Sequence, residues 1–237
     1  MVKILPLNLG TITRPMSGFG FGFESKIVDV PLIGWYIEGT DKKILVDTGG
    51  GDPATAPPRA APYKREGNQS LENALRKIGV RCDDIDIVVV THLHWDHCGE
   101  NDLFPKSKIL IQRKELESAR FPFPVTVDGY NKKMVDEIDY TVISGDKKIA
   151  EGVKIIFTPG HTYGFQEVLV EAETRRILIA GDAVSFFRNL EKDPPVISGF
   201  YVDMKAYYKS FEKMAGLKAD LILPGHDFMV FEKEAYF

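Results

Sequence analysis

The sequence has 237 residues, and its 30 basic and 34 acidic side chains give a net charge of −4; this length predicts a single domain over residues 1–237 with a full hydrophobic core. The basic residues are scattered, which argues against nucleic acid as a partner because phosphate contacts need concentrated positive charge. The sequence has two cysteines, neither in a CxxC pair, which predicts a protein without disulfides in a reducing cytoplasm. The N-terminus lacks the pattern of a signal peptide, and no apolar run approaches the ~20 residues of a membrane helix, so no membrane partner is expected.

Three strands are predicted near the start of the chain. One covers residues 2–9, and two more, 30–37 and 43–46, pair around a turn at Thr40-Asp41. The third strand ends at Asp47, which stands before a threonine and three glycines. Taken alone, this aspartate is typical of a turn.

Glycine and phenylalanine alternate between the first two strands, from Gly18 to Phe23. Phe19, Phe21 and Phe23 either fill the core from a loop or form an apolar flap over a bound substrate. Both interpretations stay open, and the three residues are candidates for substrate binding.

An irregular loop, a helix and a buried strand are predicted next. Residues 52–66 are rich in proline and alanine, which is typical of a loop. Ser70 is a suitable N-cap for a helix that Gly79 ends. The apolar run at residues 85–90 then predicts a strand that is buried in the sheet.

Four candidate metal ligands follow that strand in the stretch Thr91-His92-Leu93-His94-Trp95-Asp96-His97. If the chain stays extended, the period of two places His92 and His94 on one side. Asp96 and His97 then face the same point from the following turn. The pattern HxHxDH therefore predicts a metal site at the end of this strand.

The middle of the chain is harder to interpret. A strand at 108–111 and a helix at 113–120 are followed by residues 121–148, which have weak patterns and either line a pocket or cover the sheet. A helical turn is predicted at 132–138. Lys147-Lys148 follows a glycine and an aspartate and is interpreted as a solvated hairpin corner.

The second half has three predicted strands, a helix and a last strand. The first strands cover 153–157, 166–172 and 176–180, and the last covers 221–223. The helix begins after Asp203 and is expected to end near Gly216. Five apolar side chains are expected on one of its faces: Met204, Tyr207, Tyr208, Phe211 and Met214.

Three of the later strands lead into a glycine turn and one ligand-type residue, namely His161, Asp182 and His226. Together with the HxHxDH stretch, these positions use all five histidines of the sequence. A single histidine is more often a surface or core polar residue. A full set at strand ends indicates a shared metal centre instead.

This order of ligand-type residues resembles the metallo-β-lactamase superfamily of metal-dependent hydrolases. Within it, the chain is most similar to the N-acyl homoserine lactonase group, on the strength of the Thr-His-Leu-His-Trp-Asp-His-Cys-Gly-Glu-Asn context, the step Asp182-Ala183 and the later Gly225-His226-Asp227. The resemblance spans nearly the whole chain. It implies an α/β (α+β) fold, a four-layer αββα sandwich with two mixed sheets flanked by helices.

The resemblance also implies two divalent metal ions, since seven ligands are too many for one tetrahedral zinc. The family pattern assigns His92, His94 and His161 to one ion, Asp96, His97 and His226 to the other, and Asp182 to both. Asp96 and Asp182 are the catalytic candidates, and Asp47 would orient a ligand from behind. A hydroxide shared by the metals would be the nucleophile. Zinc is favoured, and iron, manganese and cobalt suit the same ligands.

One position departs from the lactonase pattern. The lactonases that the chain resembles carry a tyrosine three residues after the bridging aspartate, where this chain has Ser185 followed by Phe186. Either a tyrosine from elsewhere, such as Tyr163 or Tyr201, takes its place, or the substrate differs. Ser185 and Phe186 join the candidates for substrate binding.

The favoured function is opening of a lactone, or cleavage of a related carboxylic ester, in a small molecule with an apolar portion. Four alternatives remain: a glyoxalase II-like thioesterase, a phosphodiesterase, a persulfide dioxygenase-like oxidoreductase with one iron, and a non-catalytic metal-binding module. The thioesterase would need a basic pocket, and no basic cluster is evident. Similar lactonases are often dimers, so a homodimer is possible.

Overall fold

The apolar runs of the sequence form two β-sheets in the computed structural model, which describes residues 2–57, 62–124 and 126–237. The strands within these ranges are β1 Lys3–Pro15, β2 Ile27–Glu38, β3 Ile44–Val46, β4 Tyr63–Lys64, β5 Ile87–Val89, β6 Lys108–Gln112, β7 Tyr140–Ile143, β8 Lys147–Ala150, β9 Val153–Phe157, β10 Gln166–Glu171, β11 Arg176–Gly181 and β12 Leu221–Pro224. The α-helices are α1 Leu71–Lys77, α2 Trp95–Cys98, α3 Arg113–Arg120, α4 Lys132–Asp136 and α5 Met204–Leu217.

Both sheets are mixed. The first has the order β4-β1-β2-β3-β5-β6-β7, with antiparallel pairs from β4 to β3 and parallel pairs from β3 to β7. The second has the order β12-β11-β10-β9-β8, in which β11 and β12 are parallel and the other pairs are antiparallel. The parallel segments bring several carboxyl ends of strands to the same edge.

Three buried clusters separate four layers. Alternate residues of β2 face opposite ways, so that Leu32 packs with helices α1, α3 and α4, whereas Ile33 packs between the two sheets. On the far side of the second sheet, Tyr207 and Phe211 of α5 cover Leu178. The αββα arrangement implied by the family resemblance is therefore confirmed. No helix in the described ranges is long and apolar enough to cross a bilayer.

The helix ends follow local capping chemistry, with one exception. Ser70 accepts a hydrogen bond from the Asn73 N–H at the start of α1, and Asp203 accepts one from Ala206 at the start of α5, as predicted. The predicted end near Gly216 is confirmed to within one residue, since α5 ends at Leu217, but the left-handed residue that follows is Lys218 and not a glycine.

The single apolar face predicted for α5 is wrong in part. Tyr207, Phe211 and Met214 are buried beneath the helix, whereas Met204 and Tyr208 are 38% and 37% exposed. The helix contacts the second sheet along one side only, so a single stripe of its surface is covered.

The weakly patterned segments contain strands that the sequence did not predict. β4 lies within the predicted loop 52–66, of which residues 58–61 lie outside the described ranges. β7 lies within residues 121–148 and β8 begins there, so Lys147-Lys148 belongs to an edge strand and not to a hairpin corner. The predicted helical turn corresponds to α4, and the predicted helix at 113–120 is confirmed as α3.

Candidate metal centre

Four strands lead to the ligand-type side chains at one edge of the sandwich. β5 leads into Thr91 and His92, and β9, β11 and β12 lead into His161, Asp182 and His226. His94 is the N-cap residue of α2, a single helical turn that carries Asp96 and His97. The histidine motif therefore combines an extended segment with a helical turn.

One group consists of three imidazoles whose ring nitrogens converge. His92 Nε2 lies 2.9 Å from His94 Nδ1, and His161 Nε2 lies 3.2 Å and 3.1 Å from those two atoms. A tetrahedral zinc with bonds of about 2.1 Å separates its ligand atoms by roughly 3.4 Å. The spacing of this His92/His94/His161 group fits one ion.

A second group lies beside it. Asp96 Oδ2 is 3.9 Å from both His97 Nε2 and His226 Nε2. These three side chains offer donor atoms that all lie within 4.8 Å of one another. The Asp96/His97/His226 group is thus a second place where one ion fits.

The carboxylate of Asp182 lies between the two groups and turns one oxygen to each. Its Oδ2 atom is 3.4 Å from His161 Nε2. Its Oδ1 atom is 3.1 Å from His97 Nε2 and from His226 Nε2. This is the geometry that a carboxylate shared by two ions requires.

Hydrogen bonds behind the imidazoles fix which ring nitrogen carries the proton. His161 Nδ1 lies 2.7 Å from the Phe200 carbonyl oxygen, and His226 Nδ1 lies 2.9 Å from that of Pro31. A carbonyl only accepts, so in both rings Nδ1 donates and the Nε2 lone pair points into the centre. Metal-binding histidines are oriented in this way.

Asp47 supports both groups through Thr91 and His97. Its Oδ2 atom accepts hydrogen bonds from His97 Nδ1 at 2.8 Å and from the Thr91 hydroxyl at 2.8 Å, while Oδ1 accepts the Thr91 N–H at 2.7 Å. The Thr91 oxygen is in turn 3.1 Å from His92 Nδ1. Asp47 has a φ of 60°, a left-handed conformation that aspartate tolerates better than most residues.

The pKa shifts differ within the centre: against the cost of burial, the Asp182 carboxylate raises the pKa of His97 and of His226. Burial and the adjoining imidazoles hold the pKa of His92 well below its usual range, and burial lowers the pKa of His161. Against the cost of burial, the His226 and His97 imidazoles hold the pKa of Asp182 well below normal. His97 Nε2 and Asp182 Oδ1 are buried and make no hydrogen bond of good geometry with any described residue. The donor set therefore fits two divalent ions.

A cavity of about 320 Å³ opens over these groups. Asp96, Asp182, His94, His161 and His226 form its floor. Its walls are mainly apolar and aromatic, with one arginine, and include Ile12, Arg14, Phe19, Trp95, Tyr130, Phe200, Tyr201 and Val202. A small molecule with an apolar portion suits this shape.

The phenylalanines of the glycine-rich segment lie in different places. Phe19 is buried in the cavity wall, with its ring 5.1 Å from that of His226. Phe21 is 56% exposed and lies edge-on to Tyr201, outside the wall. Phe23 contacts the Arg188 guanidinium, also outside it. The segment thus acts partly as core and partly as cavity wall.

Ser185 and Phe186 do not line the cavity. Ser185 is fully buried, its backbone oxygen accepts the His226 N–H, and its hydroxyl has no hydrogen-bond partner among the described residues. The Phe186 ring packs behind Phe19 at 5.3 Å. A contact of either residue with substrate stays a prediction.

Several cavity residues carry no recognisable signal in the sequence. Arg14 and Ile12 reach the cavity because β1 is longer than predicted, and Tyr130 does so because its backbone bridges to that of His94. The two tyrosines considered as replacements for the missing one differ in position. Tyr201 lies in the wall, whereas Tyr163 is 38% exposed and lies outside it.

The fold and the paired ligand groups define a dinuclear metallohydrolase-type centre, and comparison with known families agrees. Residues 34–226 match the model of the metallo-β-lactamase superfamily. The chain belongs to that superfamily.

Within the superfamily, the chain groups with the N-acyl homoserine lactonases. It is 28% identical to the N-acyl homoserine lactonase AiiA of Bacillus thuringiensis subsp. kurstaki over 215 residues, which cover 85% of this chain and 83% of the relative. It is 30% identical over 182 residues to AiiB of Agrobacterium fabrum, which cover 68% and 65% of the two chains.

Solved structures give the same result. An N-acyl homoserine lactone hydrolase with N-hexanoyl-L-homoserine bound at its catalytic metal centre superposes with a TM-score of 0.84 at 25% identity, covering 97% of this chain and 95% of the other. A mutant of B. thuringiensis AiiA with N-decanoyl-L-homoserine at its active site gives 0.84 at 26% identity with the same coverage.

Proposed function

We propose that this chain is a dinuclear metal-dependent lactonase that opens N-acyl homoserine lactones. The observation that carries the proposal is the Asp182 carboxylate between two groups of buried ligand-type side chains, at the floor of an apolar cavity. Its relatives AiiA and AiiB are N-acyl homoserine lactonases, which supports the substrate class.

The residues that would hold the ions are the two groups described above. His92, His94 and His161 would hold one ion, Asp96, His97 and His226 the other, and Asp182 both. When bound, such a pair lowers the pKa of coordinated water and polarises the substrate carbonyl. We propose zinc, because imidazole and carboxylate donors near tetrahedral spacing suit it.

The protein side chains would position the substrate and move one proton. In lactone opening, a water oxygen bonds to the carbonyl carbon, the ring C–O bond breaks and the ring oxygen leaves as an alcohol. Asp96 Oδ2 faces His97 and His226, so Asp96 Oδ1 is the atom left to carry the proton from the water to the departing oxygen. The new carboxylic acid ionises and releases one proton to solvent.

The cavity walls would bind the rest of the substrate. Phe19, Phe200 and Val202 offer apolar surface for an acyl chain. We propose Tyr201 as the phenol that replaces the tyrosine absent at Ser185, because Tyr201 lies in the wall and Tyr163 does not. The thioesterase alternative is less favoured. Glutathione carries two carboxylates, and a pocket for it needs several basic side chains, whereas Arg14 is the one basic residue in the described cavity wall.

Location and assembly complete the proposal. Cys82 and Cys98 are both free thiols, which suits a reducing cytoplasm. A homodimer is the assembly that we propose, to be tested by analytical ultracentrifugation.

Proton release at constant pH tests the activity. Metal-loaded protein is offered a long-chain N-acyl homoserine lactone and, separately, a simple γ-lactone. We expect fast release with the first substrate and its loss in Asp182→Ala. No release from a chain shown to hold two ions would disprove the lactonase proposal, and thioesters and phosphodiesters would be assayed next.

A further inference from the structure

The buried carboxylate of Glu115 connects two loops that carry candidate metal ligands. Glu115 lies in α3 and is fully buried. Its Oε1 atom accepts a hydrogen bond of 2.9 Å from the Leu93 N–H, and its Oε2 atom accepts one of 3.0 Å from the Gly164 N–H. Each oxygen of one side chain therefore holds a different loop.

The two anchored loops are those of the His92/His94/His161 group. Leu93 stands between His92 and His94, and Gly164 comes three residues after His161. The loops follow β5 and β9, strands that belong to different sheets. The distance between their imidazoles therefore depends on what fixes one loop against the other, and the Glu115 carboxylate makes a direct link.

The packing around this link leaves little freedom. A Cβ atom on Gly164 would collide with the backbone of Glu115, so the loop approaches α3 as closely as glycine permits. Leu116 and Ala119, on the same helix, are buried in the core against the first sheet. The helix thus fixes the carboxylate, and the carboxylate fixes the loops.

We propose that Glu115 is a positioning residue for the His92/His94/His161 group, setting the distance between its two loops for one of the two ions. This inference rests on the proposed dinuclear function. The Asp96/His97/His226 group receives no hydrogen bond from Glu115 in the described structure. The imidazoles of that group are held by other acceptors, since His97 donates to Asp47 and His226 donates to the Pro31 carbonyl. Loss of the Glu115 link should therefore affect one ion far more than the other.

Stepwise zinc affinity, measured by competition with a chelator, tests the proposal. Glu115→Gln keeps the size of the side chain, but its NH₂ group faces one of the two N–H donors and cannot accept from it. We expect one of the two zinc constants to weaken about 10- to 100-fold, the range typical for partners that orient metal ligands. The other constant should change less than about threefold, and the visible spectrum of cobalt at the weakened position should shift. Glu117→Gln, at an exposed position of the same helix, is the matched control and should change neither constant.

Two results would overturn the proposal. One is a Glu115→Gln protein with both constants unchanged. The other is a parallel fall of both constants together with a lower unfolding temperature of the metal-free protein, because this indicates a general structural role. If Glu115→Gln does not fold, Glu115→Asp decides by the same criteria, since its shorter side chain reaches at most one of the two N–H groups. Failure of the proposed function has a different signature, namely wild-type protein that binds both ions but opens no lactone.

Discussion

The Tyr207 hydroxyl donates a hydrogen bond of 2.7 Å to the backbone oxygen of Asp182. The same hydroxyl accepts the Ser198 N–H at 3.3 Å, and the ring is fully buried beneath α5. A helix on the outer face of the second sheet therefore holds the backbone of the residue that lies between the two ligand groups.

Removal of this hydroxyl tests its contribution to stability and catalysis. Tyr207→Phe leaves the buried Asp182 carbonyl and the Ser198 N–H without this partner, at a cost of about 1–3 kcal/mol in the free energy of unfolding. We expect a lower kcat with little change in KM, because Tyr207 does not line the cavity. Urea unfolding and lactone kinetics measure the two effects. Tyr208→Phe, at the exposed neighbouring position, should leave both unchanged.

Asp47 offers a sharper test because it contacts ligands of both groups. In Asp47→Asn the left-handed backbone is retained, but the amide replaces one acceptor oxygen with a donor that opposes either His97 or Thr91. We expect metal affinity to fall about 10- to 100-fold. Both zinc constants should fall, in contrast with Glu115→Gln. Asp29→Asn, at an exposed position, is the control; an Asp47→Asn protein with unaltered zinc content after dialysis would contradict the role of Asp47.

The convergence of the ligand-type side chains could be foreseen because its signal is local in sequence. Strands that end in a glycine turn and a histidine or aspartate bring their last residues to one edge of the sheets, and this pattern repeats at His161, Asp182 and His226. The four-layer fold came from the family resemblance, since the pattern alone indicates only mixed α and β structure.

The features that escaped prediction depend on contacts between distant segments. Glu115 looks like any helix-surface glutamate in the sequence RKELESAR, yet α3 turns it inward onto two loops. β7 and β8 lack a clear apolar period because each lies at the edge of a sheet, where much of the strand is solvated. Arg14 reaches the cavity only because β1 runs on to Pro15.

Glu167 is a buried carboxyl group outside the metal centre, and we expect it to reduce stability at neutral pH. Neither of its oxygens has a hydrogen-bond partner among the described residues. Burial raises the pKa of Glu167 well above its ordinary value of 4.5, and only the charge of Lys213 opposes this shift. The unfolded chain loses this proton at lower pH than the folded chain. Below about pH 4.5 the carboxyl group is protonated in both states, so its ionisation costs the folded protein nothing. As the pH rises from there towards the folded pKa, the free energy of unfolding falls.

Replacement of Glu167 by leucine should remove that decline. At pH 8 we expect Glu167→Leu to raise the free energy of unfolding by about 1–3 kcal/mol, because an unsatisfied buried group is replaced by an apolar one. At pH 5 the gain should be smaller. Urea unfolding of metal-free protein at both pH values measures the difference, and the wild type serves as the reference for all other titrating groups. An equal effect at the two pH values would contradict the pKa argument.

Phe200 has two separable roles, since its backbone oxygen accepts the His161 Nδ1–H while its ring, 49% exposed, lines the cavity. Phe200→Ala keeps the backbone contact and removes only the ring. Loss of roughly 1 kcal/mol of apolar contact should raise KM for a long-chain lactone about fivefold. For a simple γ-lactone without an acyl chain, KM should stay the same.

The matched control for Phe200 is Phe237→Ala, which removes a similarly exposed ring (46%) that does not line this cavity. It should change KM for neither lactone. Tyr201→Phe removes a hydroxyl from the same cavity wall and keeps the ring, so it tests the polar contact of Tyr201 apart from its apolar contact. If the Tyr201 phenol takes the place of the tyrosine missing at Ser185, its removal should lower kcat for both lactones, because both contain the scissile ester. An unchanged kcat in Tyr201→Phe would mean that ring opening in this cavity needs no phenol, and that the ions and Asp96 suffice.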